Sequence, residues 1–409
     1  MSNNTTVPTP ANPAGWKFET RQIHAGQAPD AATGARALPI YQTTSYVFDS
    51  AEQAANRFAL SELGPIYTRL NNPTHEVIEN RNASLEGGVG ALLLASGQAA
   101  ITYAILNIAG AGDQVVASPS VYGGTYNLLK YTLADLGIET TFVENPDDLD
   151  AWRAAVRPNT KLFYGESVPN PRNDVLDIEP IAAIAHENGV PLIVDNTVPT
   201  PYLLRPIEHG ADVVVHSATK YLGGHADLLG GVAATNDDAL AERLWHLQMI
   251  TGAMLSPTDS YRLLQEVKTL KLRLTQQQKN TIEVINYLEA HPAVKRVLYA
   301  GSHSEYEAQV HARQANGLGA LISMELVDGA DLPAFLEALK IFTHAVSLGG
   351  IESLVVRPAL MVQAPYTQAH RDEYGGSDNL IPLAIGIEEI EDIIEDLERG
   401  LTAALAHQA

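Results

Sequence analysis

Residues 213–224 read Val-Val-Val-His-Ser-Ala-Thr-Lys-Tyr-Leu-Gly-Gly. A β-branched run, Val213 to Val215, passes into two hydroxyl residues, Ser217 and Thr219, then into Lys220, then into the pair Gly223 and Gly224. Consecutive valines favour a strand buried on both faces, and the small polar residues after them mark its carboxyl end. A lysine in that place has two readings. It is either a solvated side chain at a strand terminus, or it stands at the carboxyl edge of a sheet, where partial desolvation lowers its pKa and makes the amine a usable nucleophile and base. In the second reading Ser217 and Thr219 donate hydrogen bonds to a phosphate.

Short apolar runs recur on both sides of this segment, at Ala91–Ala95, Gln114–Ala117, Glu139–Val143, Lys161–Tyr164, Pro191–Val194, Asp212–Val215 and Leu229–Ala234. Amphipathic stretches such as Ala99–Ile108, Thr125–Leu136 and Ile178–Glu187 lie between them. Continuous β-branched runs alternating with helices predict an α/β domain on a mostly parallel seven-stranded sheet, with functional groups gathered at the carboxyl ends of the strands. A long helical stretch over Pro257–Ala290 leads out of it. Strands near Leu318–Glu325 and Leu380–Ile385, with helices near Leu332–Lys340 and Ile390–Ala406, predict a smaller α+β domain. The expected division is a polar, Pro-rich tail over residues 1–16, an arm over 17–73 that contacts a neighbouring subunit, a ligand-binding domain over 74–265 and a C-terminal domain over 266–409.

Bulk properties narrow the function. Of the 409 residues 26 are basic and 48 acidic, a net charge of −22 that disfavours nucleic acid or an anionic membrane as partner. The chain has no cysteine, so thiolate nucleophiles, disulfides and Cys-ligated metals are excluded, and no metal is expected. No apolar run reaches the roughly 18 residues of a membrane span. The opening MSNNTTVPTPANPAGW lacks the basic and apolar regions of a signal peptide, so a cytoplasmic protein is expected.

Three further strand ends carry chemistry. Asp195, in Val194-Asp195-Asn196-Thr197, is either a turn residue or a carboxylate that pairs with a protonated pyridine nitrogen. Ser96-Gly97-Gln98-Ala99 runs from a strand into a helix, whose first N–H groups can cradle a phosphate. Tyr122, in Tyr122-Gly123-Gly124-Thr125, is a loop aromatic or a ring lying over a flat cofactor.

These motifs, in this order and spacing, resemble the Cys/Met-metabolism family of pyridoxal-phosphate (PLP) enzymes of fold type I, over about Glu19 to Leu405. Ile23-His24-Ala25-Gly26 and Pro39-Ile40-Tyr41-Gln42-Thr43-Thr44-Ser45-Tyr46 look like the O-acetylhomoserine sulfhydrylase branch. The resemblance implies that Lys220 holds PLP and shuttles protons, that Asp195 pairs with the ring nitrogen, and that Tyr122 stacks on the ring and assists departure of the leaving group. It assigns the phosphate to Gly97, Gln98, Ser217 and Thr219. Tyr67 and Arg69 would reach the phosphate of the adjacent subunit, Asn170 the phenolic oxygen, and Ser347 the substrate carboxylate. It further implies a homo-oligomer, a dimer of dimers, acting on a small amino acid.

Two departures stand out. The family carries an arginine for the substrate carboxylate where this chain has Pro382, in Leu380-Ile381-Pro382-Leu383-Ala384-Ile385-Gly386. Its usual His-Pro is here Arg357-Pro358. Three readings stay open: Arg357 takes over the carboxylate; Ser347, Asn170 and backbone donors hold it; or the substrate is not a standard α-amino acid. A plain surface arginine is the fourth. The sulfhydrylase insertion after the lysine motif is also missing, as in the γ-lyase and γ-synthase branches. The expected activity is γ-elimination or γ-replacement on a homoserine-derived or sulfur-containing amino acid. The alternatives are a γ-lyase for a non-sulfur substrate such as canavanine, a cystathionine β-lyase, an aminotransferase, and a PLP-binding regulator without catalysis.

Overall fold

The computed structural model describes residues 15–357 and 379–406. Most of the expected N-terminal tail and the stretch that follows Arg357 lie outside them.

Seven strands form the first sheet: β1 (Gly90–Leu94), β2 (Gln114–Ala117), β3 (Glu139–Phe142), β4 (Thr160–Glu166), β5 (Leu192–Asp195), β6 (Val213–Ser217) and β7 (Gly231–Thr235). Their order is β1-β7-β6-β5-β4-β2-β3, and β7 alone runs against its two neighbours. The mostly parallel sheet expected from the apolar runs is therefore present, and the alternation along each strand shows why the runs are continuous. Ile193, Val213 and Val215 pack on one face with helix Gly97–Leu106. Val194 and Val214 pack on the other with helix Ile178–Glu187. Both faces are dry, so neither alternate position can be polar.

The second sheet holds β8 (Val294–Leu298), β9 (Leu321–Leu326), β10 (Thr343–His344), β11 (Leu354–Val355) and β12 (Leu380–Ala384), in the order β10-β11-β12-β9-β8. Val355, Ile381 and Leu383 face a core shared with helices Leu270–Glu289 and Ile390–Leu405. Leu354 and Ala384 face the other way, into a core shared with Ala218, Tyr221 and Leu222 beside Lys220. Pro382 sits inside this sheet, opposite Ser323 of β9. On its other side the Val356 N–H donates to its carbonyl at 3.3 Å. Proline has no N–H with which to return that bond, and β11 stops at Val355.

The helical stretch read as continuous over Pro257–Ala290 is two helices, Pro257–Val267 and Leu270–Glu289. The apolar period runs on through the break, because Leu263, Val267, Leu270 and Leu274 all enter the core around Tyr221 and Leu222. Arg273, just past the break, is buried and donates to the carbonyls of Tyr221 at 2.8 Å, Leu222 at 3.3 Å and Glu266 at 3.1 Å. It thus staples the turn that carries Lys220 to the helix leading out of the first sheet. Gly224 makes room for the guanidinium: its φ is +82°, and a Cβ there would lie 2.0 Å from Arg273 Nη1. Among the described residues no helix is long and apolar enough to cross a membrane.

Gly224→Ala is therefore expected to lower the unfolding free energy by at least about 1–2 kcal/mol through the left-handed backbone alone, measured by denaturant unfolding of the cofactor-free protein. A change within error would mean that the turn tolerates displacement of Arg273.

Candidate active site

The carboxyl ends of β4, β5 and β6 open into a cavity of about 240 Å³. Strand parity decides what faces it. Glu166, Asp195 and Ser217 sit in phase with Tyr164, Ile193 and Val215, so all three leave the same side of the sheet. Opposite them lies the start of helix Gly97–Leu106, where Ser96 caps by accepting the Ala99 N–H at 3.1 Å. A Cβ on Gly97 would stand 2.6 Å from Ser217 Cβ, so only glycine lets the helix start come this close to the strand end. Its first N–H groups, with Ser217 and Thr219, make a concave lining suited to an anion. The Thr219 hydroxyl itself is occupied, accepting the Gly230 N–H at 3.0 Å.

Lys220 Nζ donates to Ser347 Oγ at 3.2 Å. Burial lowers its pKa, and no carboxylate offsets that burial. The amine is therefore easier to deprotonate than a surface lysine. Asp195 accepts from Thr197 N at 2.9 Å and Thr197 Oγ1 at 2.5 Å, and Thr197 Oγ1 in turn accepts the Ser217 N–H at 2.8 Å. Burial pushes the Asp195 carboxyl up, against the pull of the Thr197 bonds and of His216. Such an acid lacks a cation. Tyr122 is 37% exposed, with its ring against Gly124, where a Cβ would lie 2.7 Å from it. Burial keeps its phenol protonated. Asn170 Oδ1 is buried without a partner at the cavity wall.

The structure thus brings Gly97, Gln98, Tyr122, Asn170, Asp195, Ser217, Thr219, Lys220 and Ser347 together. It does not bring in Tyr67, Arg69 or Arg357. Tyr67 and Arg69 line a separate groove of about 1570 Å³ with Phe58, Trp245 and Ile250. There Arg69 donates to the Met249 carbonyl, and its guanidinium lies 5.7 Å from the centroid of the Tyr67 ring. In the second sheet the residue lining the cavity is Val356, the register partner of Pro382. Arg357, two residues past the end of β11, does not line the cavity, and among the described residues its Nε is buried without a partner. Glu166, Thr197 and Val356 are among the lining residues to which the sequence reading gave no role. Glu166 stands at a strand end, the same signal that marks Asp195.

A carboxyl group awaiting a cation, a low-pKa amine and an anion cradle in one cavity fit the chemistry of PLP. The family model for Cys/Met metabolism PLP-dependent enzymes matches residues 19–402. The chain belongs to this family. It is similar to the O-acetyl-L-homoserine sulfhydrylase of Corynebacterium glutamicum, 45% identical with 95% of this chain and 97% of the relative covered. It is also similar to the L-methionine γ-lyase of Fusobacterium nucleatum subsp. polymorphum, at 42% identity over 93% of this chain and 97% of that one. Among solved structures, the cystathionine γ-lyase of Lactobacillus plantarum complexed with L-serine superposes with a TM-score of 0.90 at 38% identity, covering 95% of this chain and 99% of that one. A Campylobacter jejuni chain assigned as an O-acetylhomoserine (thiol)-lyase gives 0.91 at 33% identity, covering 95% of this chain and all of its own (100%), and carries N'-pyridoxyl-lysine-5'-monophosphate. Members of this family depend on PLP, and this chain is a PLP-dependent enzyme of fold type I.

Gly97→Ala should weaken PLP binding about tenfold or more, ~1.4 kcal/mol, because its Cβ forces the helix start away from Ser217. Cofactor titration followed by visible absorbance checks this. Unchanged affinity would place the phosphate elsewhere.

Proposed function

We propose that this enzyme catalyses γ-elimination or γ-replacement on a homoserine-derived or sulfur-containing amino acid, with PLP held in the cavity by Lys220. The observation that carries this reading is the convergence of Lys220, Asp195, Tyr122 and the Gly97 helix start on one cavity. When bound, PLP stores the electron pair released at the substrate's α carbon and so acidifies the neighbouring C–H bonds. The chain's own groups supply the rest. Asp195, short of a cation, keeps the ring nitrogen protonated. Lys220 Nζ, with its pKa lowered by burial, takes the proton from the α carbon and returns one further along the substrate. Tyr122, kept protonated by burial, covers the ring and donates toward the departing γ-substituent. Gly97, Gln98 and Ser217 would hold the phosphate, and the Asn170 side-chain amide would donate through Nδ2 to the phenolic oxygen. The curated relatives act on both sides of the choice between replacement and elimination: a sulfhydrylase and a γ-lyase stand at similar identity.

For the substrate carboxylate we favour Ser347, Asn170 and backbone donors over Arg357. Val356 lines the cavity, whereas Arg357, past the end of β11, does not. Tyr67 and Arg69, away from the cavity, are proposed to complete the phosphate site of a neighbouring subunit in a dimer, with two dimers forming the assembly in the cytoplasm.

Product analysis tests the main reading. The PLP-loaded enzyme is incubated with O-acetylhomoserine, methionine, cystathionine or canavanine, each with and without sulfide. A new amino acid that needs sulfide identifies replacement, and 2-oxobutanoate without sulfide identifies elimination. Pyruvate as the product, or no turnover of any of the four, would overturn the γ-carbon assignment. For the carboxylate, Ser347→Ala is expected to raise KM about tenfold, in keeping with a lost hydrogen bond to a charged group of about 1.5 kcal/mol. Arg357→Ala should leave KM within about twofold, since it removes no cavity contact. A sharp rise with Arg357→Ala would restore that arginine as the anchor.

A further inference from the structure

Glu166 is the one carboxyl group of the cavity to which the reaction above gives no task. It ends β4 as Asp195 ends β5, and the two are partners in the parallel register, so their backbones run about 4.8 Å apart. Both side chains leave the same sheet face and both line the cavity. Glu166 is 7% exposed. Its Oε1 accepts the backbone N–H of Tyr122 at 2.8 Å.

The groups around it are few. Asp195 comes from β5. Tyr164, on β4 itself, has a buried hydroxyl without a partner. Tyr122 comes from the loop after β2, and Lys220 from the turn after β6. His216, on β6, points out of phase with Ser217 to the far side of the sheet, where it meets Glu86. No cation contributes to the environment of Glu166.

Two carboxylates abreast in a dry cavity cannot both ionise cheaply, and the environment separates their roles. Asp195 has two Thr197 bonds and a cofactor ring to neutralise. Glu166 has the Tyr122 backbone N–H and the nearby Thr125 hydroxyl, which lower its pKa by less than burial and the Asp195 charge raise it.

We propose that Glu166 is a positioning residue that works as an uncharged carboxylic acid: it stays protonated beside ionised Asp195, fixes Tyr122 through its backbone, and leaves the Asp195 charge to the cofactor's ring nitrogen. Burial and the nearby Asp195 charge both raise the Glu166 pKa well above the ordinary carboxyl range, which supports the assignment. The inference rests on the reading of Asp195 as the partner of the ring nitrogen.

The test compares holoenzymes of wild type, Glu166→Gln and Glu166→Ala. Infrared spectra in light and heavy water should show a deuterium-sensitive acid carbonyl band that is present in wild type and absent in Glu166→Gln. Glu166→Ala frees the Tyr122 backbone and should lower kcat about ten- to a hundredfold, the cost of misplacing a reacting group, with KM little changed. Glu166→Gln, which keeps the acceptor and mimics the protonated acid, should rescue most of that loss. Wild-type kcat should fall on the alkaline side as Glu166 ionises against Asp195, and in Glu166→Gln that limb should be missing.

Three results would each overturn the proposal: no acid band in wild type, a band that persists in Glu166→Gln, or a glutamine variant as impaired as the alanine one with the alkaline limb intact. Failure of the Asp195 reading looks different. Then Asp195→Asn leaves the cofactor's visible spectrum and affinity unchanged, whereas failure of the Glu166 proposal alone leaves Asp195→Asn still disturbing both.

Discussion

The register between β4, β5 and β6 is the constraint from which the rest of the site follows. Side chains on neighbouring parallel strands alternate in step, so fixing Ile193 and Val215 in the core under helix Gly97–Leu106 also fixes the side to which Asp195 and Ser217 turn. A slip of one residue would send Asp195 into the opposite core, beside Phe163 and Val214, which offer an acid no polar partner. The hydrophobic effect thus positions a polar site with which it has no direct contact. Glycines finish the job, since Gly97 brings a helix start against Ser217 and Gly124 leaves space for the Tyr122 ring.

The parts of the site that the sequence made legible are those encoded locally. Lys220, Asp195, Gly97 and Tyr122 each stand within five residues of an apolar run, so a strand end and its chemistry can be read from a few adjacent residues. Glu166 also ends a strand, but its meaning depends on Asp195, twenty-nine positions away, and only the pairing of β4 with β5 supplies that. Arg273 shows the same limit. In the sequence it is a charged residue in a helical stretch, and its buried bonds to Tyr221 and Leu222 depend on how two distant segments meet.

The second sheet teaches a sharper lesson. Comparing Arg357 and Pro382 along the chain suggests that one arginine replaced another. In space Val356 bonds to Pro382 and lines the cavity, and Arg357, one residue on and past the end of β11, does not. Moving a charge by one position along a strand moves it to the other side of the sheet. The strand leading to Arg357, β11, is two residues long, too short to leave a pattern in the sequence. The helix broken after Val267 went unseen for the opposite reason, because its apolar period continues without a phase change.

The Arg273 staple ties two tasks to one side chain. The helix Leu270–Glu289 supplies Arg273 to the lysine turn near its start and Val284, Ile285 and Leu288 to the second core near its end. Lys220 is therefore anchored to the second sheet through a single rigid rod about 30 Å long. The reactive amine and the remote core behave as one mechanical body: loosening the second core on heating releases the lysine turn as well, so loss of catalytic geometry and loss of the C-terminal fold come as one event rather than two.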